Sequence, residues 1–304
     1  MQPFQPKAQN TLFVLILMLL LSSCSFNKLF LQPTKIPAGT QMLRMKSGSD
    51  SLLVFFEGDE HQPVFIKNNT DTITYNFSIE SVLYKSSKGH TLNGWMLKPK
   101  HAAPTSTLLH LHGNGGCLLS QFRAISPLVE QGFQVFMFDY SGFGFSEGKP
   151  TRNNVLTDAL STLDYVKARE DVKDTKLLLY GQSLGGHLSA VVAAQRAADI
   201  DGLVMEGAFS SHKDIGGHMV PFFGKVFVKQ GYSAMHSIKE YHKPLLIIHS
   251  AHDSTIPFFM GKKIYDAANE PKLFYEVEKC HICAPQYYPA EIKERINSML
   301  LPAK

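Results

Sequence analysis

The sequence predicts an α/β fold, a mainly parallel central sheet with helices on both faces. Three observations predict it. Short apolar runs recur from about residue 77 and alternate with spans of helical spacing, the pattern of strands buried on two sides. Two of these runs end in glycine-rich loops, Gly113-Asn114-Gly115-Gly116 and Tyr140-Ser141-Gly142-Phe143-Gly144. A third, Lys176-Leu177-Leu178-Leu179-Tyr180, enters Gly181-Gln182-Ser183-Leu184-Gly185 and then small residues over 189–194, which reads as strand, tight turn and helix.

The chain has 304 residues, 44% of them hydrophobic and 18% charged, enough for one large globular domain with small additions. Its net charge is +4, and the lysines and arginines are scattered. No basic run marks a nucleic-acid surface, so no nucleic-acid partner is expected.

Residues 1–23 read as a targeting segment. Lys7 precedes an apolar run over 11–21, which is short for a membrane span and has the length of a signal-peptide core. Leu21-Ser22-Ser23-Cys24 follows directly and resembles a bacterial lipobox, in which the cysteine receives lipid and becomes the mature N-terminus. The expectation is a lipoprotein of the bacterial cell envelope, tethered to a membrane through Cys24. Ser25 rather than Asp after the cysteine points to the outer membrane. Residues 24–76 carry weak signals broken by Pro33, Pro37, Gly39, Gly48 and Gly58, with a strand expected over 51–56. They read as a tether and N-terminal extension ordered against the main domain, which spans 77–304.

Within that domain, alternation predicts strands over 79–85 and 91–97, joined by a hairpin turn at 86–89. Further strands are expected over 107–112, 134–139, 176–180, 202–205, 244–249 and 272–277. Helices are expected around 121–131, over 153–168, after Ser183 and over 289–301. Residues 207–243 form a segment of insertion size, too short for a large cap. Its apolar part, 219–228, is expected either to line an acyl pocket as a small lid or to pack as a short helix on the core, the second being favoured.

In parallel sheets the reacting groups sit in loops at the carboxyl ends of strands. Ser183 falls there. A serine hydroxyl needs a base to take its proton and a third group to orient that base. On α/β scaffolds with this turn the partners follow in the order serine, acid, histidine. Of 13 histidines only His281 lies beyond Asp253, which itself follows the 244–249 strand. Asp253 is the expected acid, with Glu206 the alternative. Asp139 precedes Ser183 and is expected to brace its loop through backbone amides. The backbone amides of Leu184 and Asn114 are the expected oxyanion donors. Neither glycine loop is a dinucleotide fingerprint, since Leu118 and Glu147 stand where the last glycine would be.

With these residues in place, the chain resembles α/β-hydrolase-fold serine hydrolases, and within them the Bem46-like proteins and the α/β-hydrolase-domain depalmitoylases. The likeness rests on His112-Gly113-Asn114-Gly115-Gly116, on Asp139-Tyr140-Ser141-Gly142-Phe143-Gly144 with Ser146-Glu147-Gly148-Lys149-Pro150, on Tyr180-Gly181-Gln182-Ser183-Leu184-Gly185-Gly186, and on His252-Asp253 with Ile256-Pro257. It implies a nucleophile at Ser183, an acid at Asp253 and a base at His281. It also implies a reaction that needs no metal or cofactor. Many relatives carry Asn or Asp directly after the catalytic histidine, where this chain has Ile282. The N-terminal cysteine cluster of the animal depalmitoylases is absent, so their substrate does not carry over.

With Cys24 lipidated, Cys117, Cys280 and Cys283 remain, an odd number unlike a disulfide framework. Cys280-His281-Ile282-Cys283 puts the expected base inside a C-x-x-C. The two thiols either pair in an oxidising compartment and restrain the His281 loop, or stay as buried free thiols, the reading that cysteine burial favours. The expected activity is hydrolysis of an ester, thioester or amide of a small or acylated substrate through an acyl-enzyme. A peptidase on the same fold is the alternative, and a non-catalytic binding scaffold in the envelope is the alternative of another class.

Overall fold

Eight strands make the central sheet, and their side chains alternate between two apolar cores. The computed structural model describes residues 30–47, 50–68 and 71–301; Cys24 and the 11–21 run lie outside the described residues. The chain first runs as a strap containing a two-residue strand, β1 (Gln32–Pro33). Four antiparallel strands follow, β2 (Met42–Ser47), β3 (Asp50–Glu57), β4 (Gln62–Lys67) and β5 (Asp71–Thr72). They form a sheet of their own.

The main sheet opens with the hairpin β6 (Phe77–Lys85) and β7 (Thr91–Pro99). After it come β8 (Ser106–Leu111), the short β9 (Gly115–Gly116), helices α1 (Leu118–Ile125) and α2 (Pro127–Glu130), and strand β10 (Gln134–Phe138). The single helix expected around 121–131 is therefore two. Pro127 cannot donate a backbone bond and starts a new helix. Helix α3 (Arg152–Lys167), strand β11 (Lys176–Gln182), helix α4 (Leu184–Gln195) and strand β12 (Gly202–Glu206) continue the alternation. Three short helices follow in the 207–243 segment: α5 (His212–Met219), α6 (Gly224–Phe227) and α7 (Ala234–Ser237). The chain closes with β13 (Leu245–Ser250), α8 (Phe258–Ala267), β14 (Lys272–Val277), α9 (Ala284–Tyr287) and α10 (Pro289–Met299).

The strand order is β14-β13-β12-β11-β8-β10-β7-β6. Pairing is parallel from β14 through β10 and antiparallel across β7 and β6. Strands β8, β10, β12 and β13 are buried along their whole length, as expected for strands covered on two faces. Leu109, Phe136, Leu179, Met205 and Ile247 face one core. Their neighbours Leu108, Val135, Leu178, Val204 and Ile248 face the other. Leu52, Val54 and Phe65 of the small sheet join this second core, where the Phe65 ring lies 5.3 Å from Phe122 and 6.4 Å from Trp95. The fold is thus the α/β-hydrolase fold expected from the sequence, with a second sheet added before it.

A very close backbone approach lies at the start of α4. A Cβ placed on Gly185 would sit 1.8 Å from the carbonyl oxygen of Leu111 in β8. Backbone lies on both sides of that contact, so nothing flexible can yield. The variant Gly185→Ala is expected to lose about 3 kcal/mol or more of stability, read as a lowered denaturation midpoint in urea. An unchanged midpoint would mean that α4 can move off β8.

Candidate active site

Ser183 occupies the turn between β11 and α4 with φ 55° and ψ −114°. A non-glycine residue with positive φ is rare and strained. The turn is held from both ends: the Ser183 amide donates to the Glu206 carbonyl at 2.8 Å, and the Ser183 carbonyl accepts from His187 at 3.0 Å. Ser183 and Leu184 line a cavity of about 180 Å³ with Asn114, Phe209 and Ile215. A larger cavity of about 660 Å³, containing Lys176, Asp201 and Pro271, opens at the opposite, amino ends of the strands. The smaller one is where α/β sheets hold their ligands.

Asp253 lies in the loop after β13, its side chain 1% exposed. His281 Nδ1 donates to its Oδ2 at 2.6 Å. Its Oδ1 accepts from the amides of Thr255 and Ile256, each at 2.8 Å. Burial alone would raise the Asp253 pKa, but the bond from His281 and the two amide bonds outweigh it and hold the carboxyl below its ordinary value. The pair's share of stability is therefore present above the ordinary carboxylate pKa and lost only as pH falls through the depressed one.

Glu206, the alternative acid, is spent elsewhere. Its Oε2 accepts from Tyr180 Oη at 2.9 Å and Gln182 Nε2 at 2.7 Å, and its Oε1 accepts from the Ala284 amide at 2.8 Å. Burial pushes its pKa up against those donors. It ties strand β12 to the chain just beyond His281 and does not reach the imidazole through a hydrogen bond. A Cβ on Gly207 would lie 3.0 Å from the His281 ring, and one on Gly113 would lie 3.7 Å from both Ser183 Cβ and Ile282 Cδ1, so Gly113 lies against Ser183 and against the residue after His281. Among the described residues no hydrogen bond joins Ser183 Oγ to His281, a looseness common before a substrate tightens such sites.

The loop carrying His281 is closed covalently. Cys280 and Cys283 form a disulfide, with Cα atoms 5.6 Å apart. The expectation of two buried free thiols is thus corrected: Cys280 is exposed, Cys283 is buried, and the pair is bridged. Ile282 between them has φ 48°. Asn and Asp tolerate that conformation far better than a β-branched residue. Here the bridge and a bond from Gln182 Nε2 to the Ile282 carbonyl at 3.3 Å hold the strained isoleucine.

Across the cavity, the Gly113–Gly116 loop is held by the N-terminal strap, a stretch whose sequence signal is weak. β1 pairs in parallel with β9. The Gln32 amide is shared between the Asn114 carbonyl at 3.2 Å and Asn114 Oδ1 at 3.0 Å. Ile36 and Gly144 continue the strap onto the neighbouring loop. Phe30 and Gln32 line the cavity with Ser183. These contacts are long-range, so neither composition nor spacing could announce them. Asp139 Oδ1 accepts from the Leu118 amide at 2.8 Å, the bracing role expected of it, and burial raises its pKa to about 7. His110 and His112 beneath the site are fully buried, which lowers their pKa values to about 3 and about 4 and keeps both neutral near pH 7. Cys117, a buried free thiol, is pushed to about 12. Among the described residues no group of three or more histidine, cysteine or carboxylate side chains is arranged to hold a metal ion.

A strained serine at a strand-to-helix turn, amides beside it and an Asp–His pair from later loops are the marks of α/β hydrolases. The chain belongs to that family: residues 106–235 match its model, described as alpha/beta hydrolase fold. The chain is 38% identical over 207 residues to the uncharacterized protein YfhR of Salmonella typhi, across 64% of this chain and 70% of that protein. It is 29% identical over 210 residues to the lysophosphatidylserine lipase ABHD12 of Xenopus tropicalis, across 63% of this chain and 53% of that one. The Pyrococcus furiosus esterase Pf2001 superposes with a TM-score of 0.63 at 18% identity, over 74% of this chain and 91% of the esterase.

The disulfide supplies a direct handle on the His281 loop. Opening a ring this small releases about 2 kcal/mol of chain entropy. Reduction with dithiothreitol is therefore expected to lower kcat for a soluble ester by about tenfold with little change in KM. An unchanged kcat with two titrated thiols would show that Gln182 and Glu206 hold the loop alone.

Proposed function

We propose that the protein is a serine hydrolase that cleaves an ester or thioester bond through an acyl-enzyme on Ser183. The observation that carries this reading is the 2.6 Å bond from His281 Nδ1 to Asp253 Oδ2, made at the same end of the sheet as the strained Ser183. That bond leaves the other ring nitrogen, Nε2, unprotonated and able to accept. Ser183 Oγ attacks the acyl carbon and its proton passes to Nε2. Asp253 keeps the imidazole in the required tautomer and stabilises its cation. The oxyanion forms against the amides of Asn114 and Leu184. As the first residue of α4, Leu184 has no acceptor for its amide within the helix. His281 then protonates the leaving alcohol or thiol, and water repeats the sequence to release the acid. The motifs around Gly113, Gly142, Ser183 and Asp253 support a place in the Bem46-like group.

The substrate class proposed is an acylated small molecule or lipid. The apolar wall of Phe30, Phe209, Ile215 and Met219 beside Ser183 supports an acyl chain there, and the Xenopus relative named as a lysophosphatidylserine lipase supports the same class. The membrane tether at Cys24 and a cell-envelope location complete the reading, supported by the apolar run and the Leu-Ser-Ser-Cys motif.

Labelling by a fluorophosphonate probe tests the nucleophile. The intact protein is expected to label and Ser183→Ala to remain unlabelled; labelling that survives this change would sink the proposal. Asp253→Asn is expected to fold normally and lose about 10³- to 10⁴-fold in kcat, because the amide favours the wrong imidazole tautomer. Cys24→Ser is expected to move the protein from the membrane to the soluble fraction of cells fractionated by ultracentrifugation. Retention in the membrane would assign the anchor to the apolar run itself.

A further inference from the structure

The segment between α5 and α6 ends in an apolar tip that the chain leaves uncovered. Phe222 is 95% exposed, Val226 76% and Phe223 62%. Phe222 also has φ 68°, a conformation in which a bulky side chain is an outlier. Two unfavourable states therefore coincide at one residue, a bare ring and a strained backbone. The tip is not loosely attached. Gly216 and Gly224 bring α5 and α6 into backbone contact, and Ile215 and Val228 beneath them are buried.

The tip's position says what would cover it. Ile215 and Met219, on the same helix, line the Ser183 cavity, so the bare rings stand beside the cavity. Between residues 207 and 233 the only carboxylate is Asp214, and it is engaged by Ser210 at 2.7 Å and Lys263 at 3.2 Å. Lys213, Lys225 and Lys229 of the same segment are exposed. Bare aromatic rings on a segment with this excess of cations fit an anionic lipid surface. Phe30 also lines the cavity, and Cys24 stands six positions before it, a reach of about 20 Å at full extension. A lipid on Cys24 would bring this same face within that reach of a membrane.

We infer that residues 219–226 form a membrane-docking tip: Phe222, Phe223 and Val226 insert into an anionic bilayer, and the Ser183 cavity takes acyl esters from the lipid phase. This deepens the proposed function and rests on its membrane tether and its acyl-enzyme.

The test uses the full chain on vesicles of phosphatidylethanolamine and phosphatidylglycerol with brominated acyl chains. Trp95 is the chain's single tryptophan and is buried, so an added indole is readable. The indole introduced by Phe222→Trp is expected to shift to the blue and be quenched. The one introduced by Leu273→Trp, at the opposite cavity, is expected to do neither. The double variant Phe222→Ser/Phe223→Ser is expected to keep its turnover of soluble p-nitrophenyl butyrate. Its turnover of a vesicle-embedded acyl ester should fall by about tenfold or more. Vesicle flotation without quenching at position 222 would overturn the docking face. So would equal quenching at both positions, or a lipid-free blue shift that grows with protein concentration, which would make the occupant a second copy of the chain. Ester turnover that persists in Ser183→Ala would instead strike the acyl-enzyme on Ser183, and the quenching result would stand independently of it.

Discussion

The contact between Gly185 and the Leu111 carbonyl is the constraint on which the site depends. With no side chain at position 185, α4 starts directly against the end of β8. The chain has no room to leave β11 by a relaxed turn, and Ser183 takes up the strain at φ 55°. The same approach sets Leu184 and Asn114 around one cavity, because the loop after β8 begins where α4 begins. The geometry of Ser183 and that of the Leu184 and Asn114 amides therefore follow from one packing distance, and a change that relaxes one disturbs the other.

Beneath the turn, a buried polar chain couples the strand ends to the loop of His281. His110 Nε2 donates to Gln182 Oε1 at 2.9 Å, and Gln182 Nε2 in turn donates to Glu206. Glu206 reaches the Ala284 amide just beyond the disulfide. A buried carboxylate is costly unless its oxygens are satisfied, and three donors satisfy this one. The two acids thus divide the work by environment. Glu206, raised by burial, fixes the frame of the loop. Asp253, depressed by its donors, faces the imidazole.

The legible part of the fold was the part with period. Strands β8, β10, β12 and β13 are continuous apolar runs, and α3 carries its buried residues Val155, Ala159, Leu163 and Val166 at helical spacing. Ser183, Asp253 and His281 could be singled out because turn chemistry and chain order restrict them. The small sheet of 42–72 was mostly illegible, since glycines and prolines break its signal and its partners Trp95 and Phe122 are distant in sequence. Ile282 was visible as a departure from relatives, but its left-handed backbone was not. The pairing of Cys280 with Cys283 was an open choice, because spacing allows a bridge without requiring it.

The strap of residues 30–36 joins features that otherwise have separate causes. It hydrogen-bonds the Asn114 loop through Gln32 and the Gly144 loop through Thr34 and Ile36. It also places the Phe30 ring in the cavity wall, 5.1 Å from His212 at the start of α5. The strap therefore touches both the Gly113–Gly116 loop and the root of the apolar tip. A glycine-rich loop such as 113–116 has few side chains to pin it and depends on backbone partners for its shape. The strap supplies those partners from residues more than 75 positions earlier in the chain, so the shape of the loop depends on a segment outside the parallel sheet.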